Sequence, residues 1–142
     1  AEYSRAWVWK SFTRGYNPIL MEMHQTNPMG DLRNGFISAR DAMGYTLSYA
    51  KKMDLASMKP DNDLSSTKYC LSNPGLEYLV YQPNEGSFTV NLISGNYDYE
   101  WFNPTAGLVS DKGTLEILDA SSEEFDPPYS DAVLYLKLTD KD

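Results

Sequence analysis

Beyond Pro60 the chain breaks into short apolar runs that alternate with polar residues and are cut by Gly, Pro, Asn and Ser. This pattern constrains the fold most, because a period of two turns one face of a strand inward and cannot serve a helix. Glu77–Tyr81 reads as a strand ended by Gln82-Pro83-Asn84-Glu85-Gly86. Ser87–Ile93 alternates cleanly, with Phe88, Val90 and Leu92 on one side. Ser94-Gly95-Asn96 is a tight turn before a strand over Tyr97–Phe102, which Asn103-Pro104-Thr105-Ala106-Gly107 closes. A strand at Leu115–Leu118 follows. The stiff loop Asp126–Asp131 leads into a last strand, Val133–Leu138, with Leu134, Leu136 and Leu138 inward. Several such strands without intervening helices predict an antiparallel β-sandwich over residues 60–142.

Ahead of Pro60 the period is helical. Ala39, Met43, Leu47, Ala50 and Met53 recur at helix spacing, and Ser38 with Asp41 fits a capping box, so a helix is predicted over about 38–58. Arg5–Trp9 reads as the tail of another helix. Asn17–Met23 reads as a short buried strand. A strand, a polar loop and an amphipathic helix make one βα step, which cannot close a core alone. The first 59 residues are therefore expected to be a piece of something larger. The start at Ala1, without Met or a signal-peptide pattern, fits a chain that begins inside a longer one.

Charge is unevenly divided. Residues 1–60 carry five acids and eight Lys or Arg, whereas fifteen acids and only four Lys lie beyond, which makes the net charge -8. An acidic module repels phosphate backbones, so no nucleic-acid partner is expected. No apolar run reaches the length of a membrane span, so no membrane partner is expected either. Cys70 is the single cysteine, which excludes an intrachain disulfide and a cysteine-based zinc site, and it reads as a buried filler.

Several stretches resemble the C-terminal end of bacterial glycoside-hydrolase-like proteins, in which a (β/α)8 barrel is followed by a small β-sandwich classed as a collagen-binding domain. They are Phe12–Met21, then Arg40–Leu55 with Gly44 and Tyr49-Ala50, and then Ser66–Gly75 with Glu77–Tyr81. Trp101–Gly107 and Pro127-Pro128 before Asp131–Leu136 complete the set. The resemblance implies that residues 1–59 are the last strand and helix of the barrel and 60–142 its sandwich. It also implies a secreted bacterial protein, extracellular or periplasmic. The barrel's catalytic carboxylates lie at the ends of earlier strands, so this chain is expected to lack the acid pair of glycoside hydrolysis and to be no enzyme itself.

Glu22 has no second acid placed to pair with it, and His24, the single histidine, has no nucleophile partner; neither is assigned a role. Asp98 and Glu100 share one side of a strand and are expected to be exposed. Asp61-Asn62-Asp63-Leu64-Ser65-Ser66 resembles a calcium loop but lacks the glycine and glutamate of an EF-hand; a structural calcium is the alternative to no cofactor at all. Tyr97, Tyr99 and Trp101 project from one side of a strand. With Asn103 they are the candidate ligand-binding set, because sugar rings stack on flat aromatics. The competing reading puts that side in the core, and Tyr69, Tyr78, Tyr81, Tyr129 and Tyr135 are then left as other surface aromatics. The expected role is a non-catalytic accessory module that binds a polysaccharide or stabilises the catalytic barrel of its parent. The alternative is a protein-interaction module of the collagen-binding kind. The apolar face of the 38–58 helix should be covered by the sandwich or by a second copy of the chain as a homodimer.

Overall fold

The computed structural model describes residues 5–16 and 32–139, the side chains of 32–37 aside. The strand read at Asn17–Met23, with Glu22 and His24, lies outside them. Among the described residues two helices, α1 (Arg5–Thr13) and α2 (Leu32–Lys52), precede eight strands. These are β1 (Lys59–Pro60), β2 (Cys70–Asn73), β3 (Glu77–Gln82), β4 (Phe88–Leu92), β5 (Gly95–Asn103), β6 (Leu108–Ile117), β7 (Ser121–Phe125) and β8 (Ala132–Leu138). All pairings are antiparallel. One sheet runs β1-β2-β3-β8-β5-β6 and a second consists of β4 and β7. The chain is mainly β, as its alternating runs predict.

The large sheet is covered on both faces. Leu71, Leu79, Tyr81, Phe102, Val133 and Tyr135 pack against the helices. Cys70, Tyr78, Val80, Tyr97, Trp101, Leu134 and Leu136 pack against Phe88, Val90 and Leu92 of the small sheet. This explains why Glu77–Gln82 and Ala132–Leu136 carry large residues at nearly every position: a strand shielded on both sides loses the polar half of its alternation. The helices and the large sheet share one core across position 59, and β1 itself belongs to the sheet.

Trp9 is the centre of the helical layer. It is fully buried, with ring centroids of Phe102, Tyr49, Tyr81 and Phe12 at 5.8, 6.1, 6.2 and 6.5 Å. Arg5 Nε donates to Asp131 Oδ2 at 2.6 Å, and Asp131 also accepts from the Tyr81 hydroxyl, so the start of α1 is tied to the loop before β8 and to β3.

Three local expectations are corrected. The second helix begins at Leu32 and ends at Lys52, so Ser38 lies inside it and caps nothing; a 3-10 turn at Leu55–Ser57 follows. Among its described side chains Ala39, Ala42, Thr46 and Tyr49 are buried, as is Met53 just beyond its end, whereas Leu47 is 54% exposed. The expected stripe holds at Ala39 and Met53 and fails at Leu47; Ala42 and Thr46 complete the covered face instead. The strand read at Leu115–Leu118 is really Leu108–Ile117, and β2 and β7 were not foreseen. The β7 sequence Ser-Ser-Glu-Glu-Phe has too many acids to show alternation, yet it pairs residue for residue with β4.

Two glycines are required by tyrosines. Gly107 has φ of 74°, and a Cβ there would stand 2.7 Å from Cζ of Tyr45 on α2. Opposite Tyr99, a Cβ at Gly113 would meet that ring at 2.6 Å from Cζ, so a side chain there would displace Tyr99.

Trp9→Ala is expected to cost roughly 3–5 kcal/mol by emptying this junction, whereas Leu47→Ala should stay within about 0.5 kcal/mol because its side chain is largely in water. Urea denaturation checks both. A wild-type midpoint for Trp9→Ala would mean that the helices do not depend on the sheet.

Candidate functional site

Two carboxylates lie inside the helix–sheet interface. Glu100 was expected in water, but it is only 6% exposed, and the correction has a simple cause: β5 runs beneath the C-terminal end of α2, which shields Glu100 and leaves Asp98 outside. Lys52 Nζ donates to Glu100 Oε1, and the Tyr49 hydroxyl donates to Oε2 at 3.2 Å. Glu77, on β3, accepts from the Tyr135 hydroxyl and from the Asp54 backbone N–H at 2.9 Å. Register explains their proximity. Tyr135 on β8 stands opposite Glu100 on one side and Leu79 on the other, with Glu77 two residues from Leu79 on the same face. The ammonium of Lys52 also lies 4.9 Å from the Tyr135 ring centroid and 5.6 Å from that of Tyr49.

This arrangement holds the end of α2 onto the sheet. A buried carboxylate is tolerated only when donors replace its lost water. Here hydroxyl, ammonium and backbone N–H groups do so, and each acid is engaged by its own donors. Burial first, and the neighbouring glutamates next, push the hydroxyl pKa values of Tyr49 and Tyr135 well above the usual tyrosine range.

The aromatic stripe lies between the two sheets. Tyr97 is fully buried, edge-on to Tyr78 at 5.9 Å, and Trp101 is 5% exposed, against Phe88 at 5.9 Å and Phe125 at 6.5 Å. Tyr99 is half-buried over Gly113. Asn103 is half-buried as well, and its Oδ1 accepts from the N–H groups of Thr105 and Ala106 at 2.9 and 3.2 Å to form the following turn. These four residues are not gathered on one open face. Of the other tyrosines read as surface aromatics, Tyr78, Tyr81 and Tyr135 are buried, and Tyr69 and Tyr129 are half-buried. Cys70 is fully buried, its thiol pushed up to about 12 by burial and then by the Asp61 charge, so it is no nucleophile near neutrality. Asp61 itself caps a 3-10 turn, accepting from Asp63 N–H at 3.2 Å. Among the described residues, no three His, Cys, Asp or Glu side chains come together.

An open groove of about 310 Å³ is the surface feature with most chemistry. Lys10, Ser66, Thr67, Tyr69, Asn84 and Glu85 line it among others, so it lies between α1 and the loops flanking β2 and β4. Lys10 is shared with a second depression of about 420 Å³ that includes Trp7, Arg14 and Tyr16. The Lys10 ammonium and the Arg14 guanidinium stand 5.4 and 4.6 Å from the Tyr69 ring centroid. Sequence reading missed this site because its parts come from three separate segments. The Lys10–Arg14 spacing of four was the one signal within it.

No family model matches the sequence, and no curated protein matches it at a significant level. Solved structures do resemble it. One described as a glycoside hydrolase superposes on 94% of this chain and 32% of its own, with a TM-score of 0.61 at 13% identity. A glycoside hydrolase family 5 structure from Bacteroides vulgatus ATCC 8482 superposes on 76% of this chain and 25% of its own, with a TM-score of 0.56 at 16% identity. The chain therefore spans a third or less of the structures it matches. At these identities the likeness is one of fold. It agrees with the glycoside-hydrolase side of the sequence resemblance at the level of fold, and it does not show a collagen-binding family.

Tyr49, Tyr81, Tyr97 and Tyr135 all have hydroxyl pKa values raised by burial above the ordinary 10 of an unfolded tyrosine. Between that value and their folded values the native chain holds more protons than the unfolded one. Stability is therefore full below about pH 10 and falls as pH rises further. Ultraviolet titration should show these tyrosines ionising only together with loss of native circular dichroism. Reversible ionisation of every tyrosine in the folded chain would refute the burial.

Proposed function

We propose that this chain is a non-catalytic accessory module of a glycoside-hydrolase-like protein, one that binds carbohydrate and packs against the catalytic barrel of its parent. The observation that carries this reading is coverage: nearly the whole chain, helices included, superposes on a portion of a glycoside hydrolase about a third of that protein's length. Its buried acids support the non-catalytic part. Glu77 and Glu100 are occupied in fastening α2, whereas a glycosidase pair must face a cleft on either side of the scissile bond. Leu47 on α2, Leu55 in the 3-10 turn after it and Tyr16 beyond the end of α1 are exposed and offer contact to a larger domain. The groove beside Lys10, with hydroxyl, amide and aromatic groups, offers contact to a glycan. No cofactor is invoked, and the sequence resemblance is what supports an extracellular or periplasmic parent.

Affinity electrophoresis against soluble β-glucans, xylans, mannans and pectins, run beside a reducing-sugar assay, tests the reading. The expected result is retardation by at least one polysaccharide with no release of reducing ends. Hydrolysis that disappears in Glu77→Gln or Glu100→Gln would make the buried pair catalytic and overturn the proposal.

A further inference from the structure

We infer that the groove beside Tyr69 recognises carboxylate-bearing sugar units, so that the module's ligand is an acidic, uronate-containing glycan. This rests on the sugar-binding reading above and names the substrate class for one surface. Lys10 and Arg14 are four residues apart, and the Arg14 N–H to Lys10 carbonyl bond of 3.2 Å continues the helical spacing, so both side chains leave α1 on the same side. Both cations converge on one aromatic ring. Among the described residues neither is matched by a carboxylate within ion-pair distance.

The ring that gathers them is held in place. Tyr69 stands edge-on to buried Tyr81 at 6.3 Å; its N–H donates to Thr67 Oγ1 at 3.2 Å, and its carbonyl accepts from the Tyr81 N–H at 2.9 Å. Ser66 Oγ accepts from the Thr89 N–H at 2.9 Å, which leaves its own O–H to donate outward. Lys10 thus lines a groove whose other lining groups suit sugar hydroxyls, and Arg14, in the adjoining depression, stands against the same Tyr69 ring. An anionic sugar unit needs both.

The chain's net charge of -8 opposes a polyanion. Screening decides the balance: at physiological salt charges are damped beyond about 8 Å, so remote acids weigh little against two cations in contact with a carboxylate. Glu85 is different, because it lines the same groove. It sets the sign of a decisive test. If the ligand is an anion, Glu85 repels it. If the ligand is a neutral sugar, Glu85 is a hydroxyl acceptor that helps.

Titration calorimetry of the whole chain would use oligogalacturonate, its fully methyl-esterified form and a neutral xylo-oligosaccharide, with thermal melts as a check on folding. Oligogalacturonate should bind at least about tenfold more tightly than the ester, since a charge-assisted hydrogen bond accounts for roughly that factor or more. The Lys10→Gln/Arg14→Gln double variant should abolish this preference, and Glu85→Gln should raise oligogalacturonate affinity. Equal affinity for acid and ester, or weaker binding by Glu85→Gln, would overturn the acidic-glycan assignment while leaving a sugar-binding module standing. Binding of the neutral oligosaccharide alone would do the same. Failure of all three sugars, together with every polysaccharide of the wider panel, would overturn both this assignment and the sugar-binding role.

Discussion

Trp9 joins elements that are distant in sequence: its indole is enclosed by Phe12 from its own helix, Tyr49 from α2, Tyr81 from β3 and Phe102 from β5. Aromatic rings bury large areas and prefer edge-on or offset contacts, so such a cluster sets orientation as well as stability. With the rings in place, the helices can approach the sheet in only a narrow range of directions. The small residues Ala39 and Ala42 make room for that approach, and Leu47, which the approach does not need, is left in water. The helical layer is in this sense an extension of the sheet's core.

Polar groups refine what the rings begin. Apolar packing tolerates small slides, whereas a buried carboxylate does not, because loss of a donor leaves an uncompensated charge. Glu100 with Lys52 and Tyr49, and Glu77 with Tyr135 and the Asp54 N–H, place the C-terminal end of α2 over β3, β8 and β5. Asp131 does the same for the start of α1 through Arg5 and Tyr81. Glu77, Glu100 and Asp131 are thus set in the framework. The groove at Lys10 is a by-product of the same docking: α1 brings Lys10 to the loops before β2 and β4, with Arg14 beside it against Tyr69.

What the sequence by itself determined is the local grammar. The alternation in Phe88–Leu92 and the continuous apolar run of Ala132–Leu136 locate strands, because a period of two and a doubly covered strand leave unmistakable patterns. The presence of α2 was legible from its repeat. Its face was not: Leu47 and Met43 outrank Ala42 and Thr46 in hydropathy, but which side is covered depends on what can fit beneath it. The strand β7 was hidden because its acids face water and only its pairing with β4 identifies it. Tertiary structure alone decided that Glu100 is buried while Asp98, two residues away on the same side, is not, since the end of a helix from fifty residues earlier covers one and misses the other. It likewise turned Tyr97 and Trp101 into core and assembled Lys10, Tyr69 and Asn84 into one groove. Burial and convergence are properties of pairs of distant segments, and no local pattern records them.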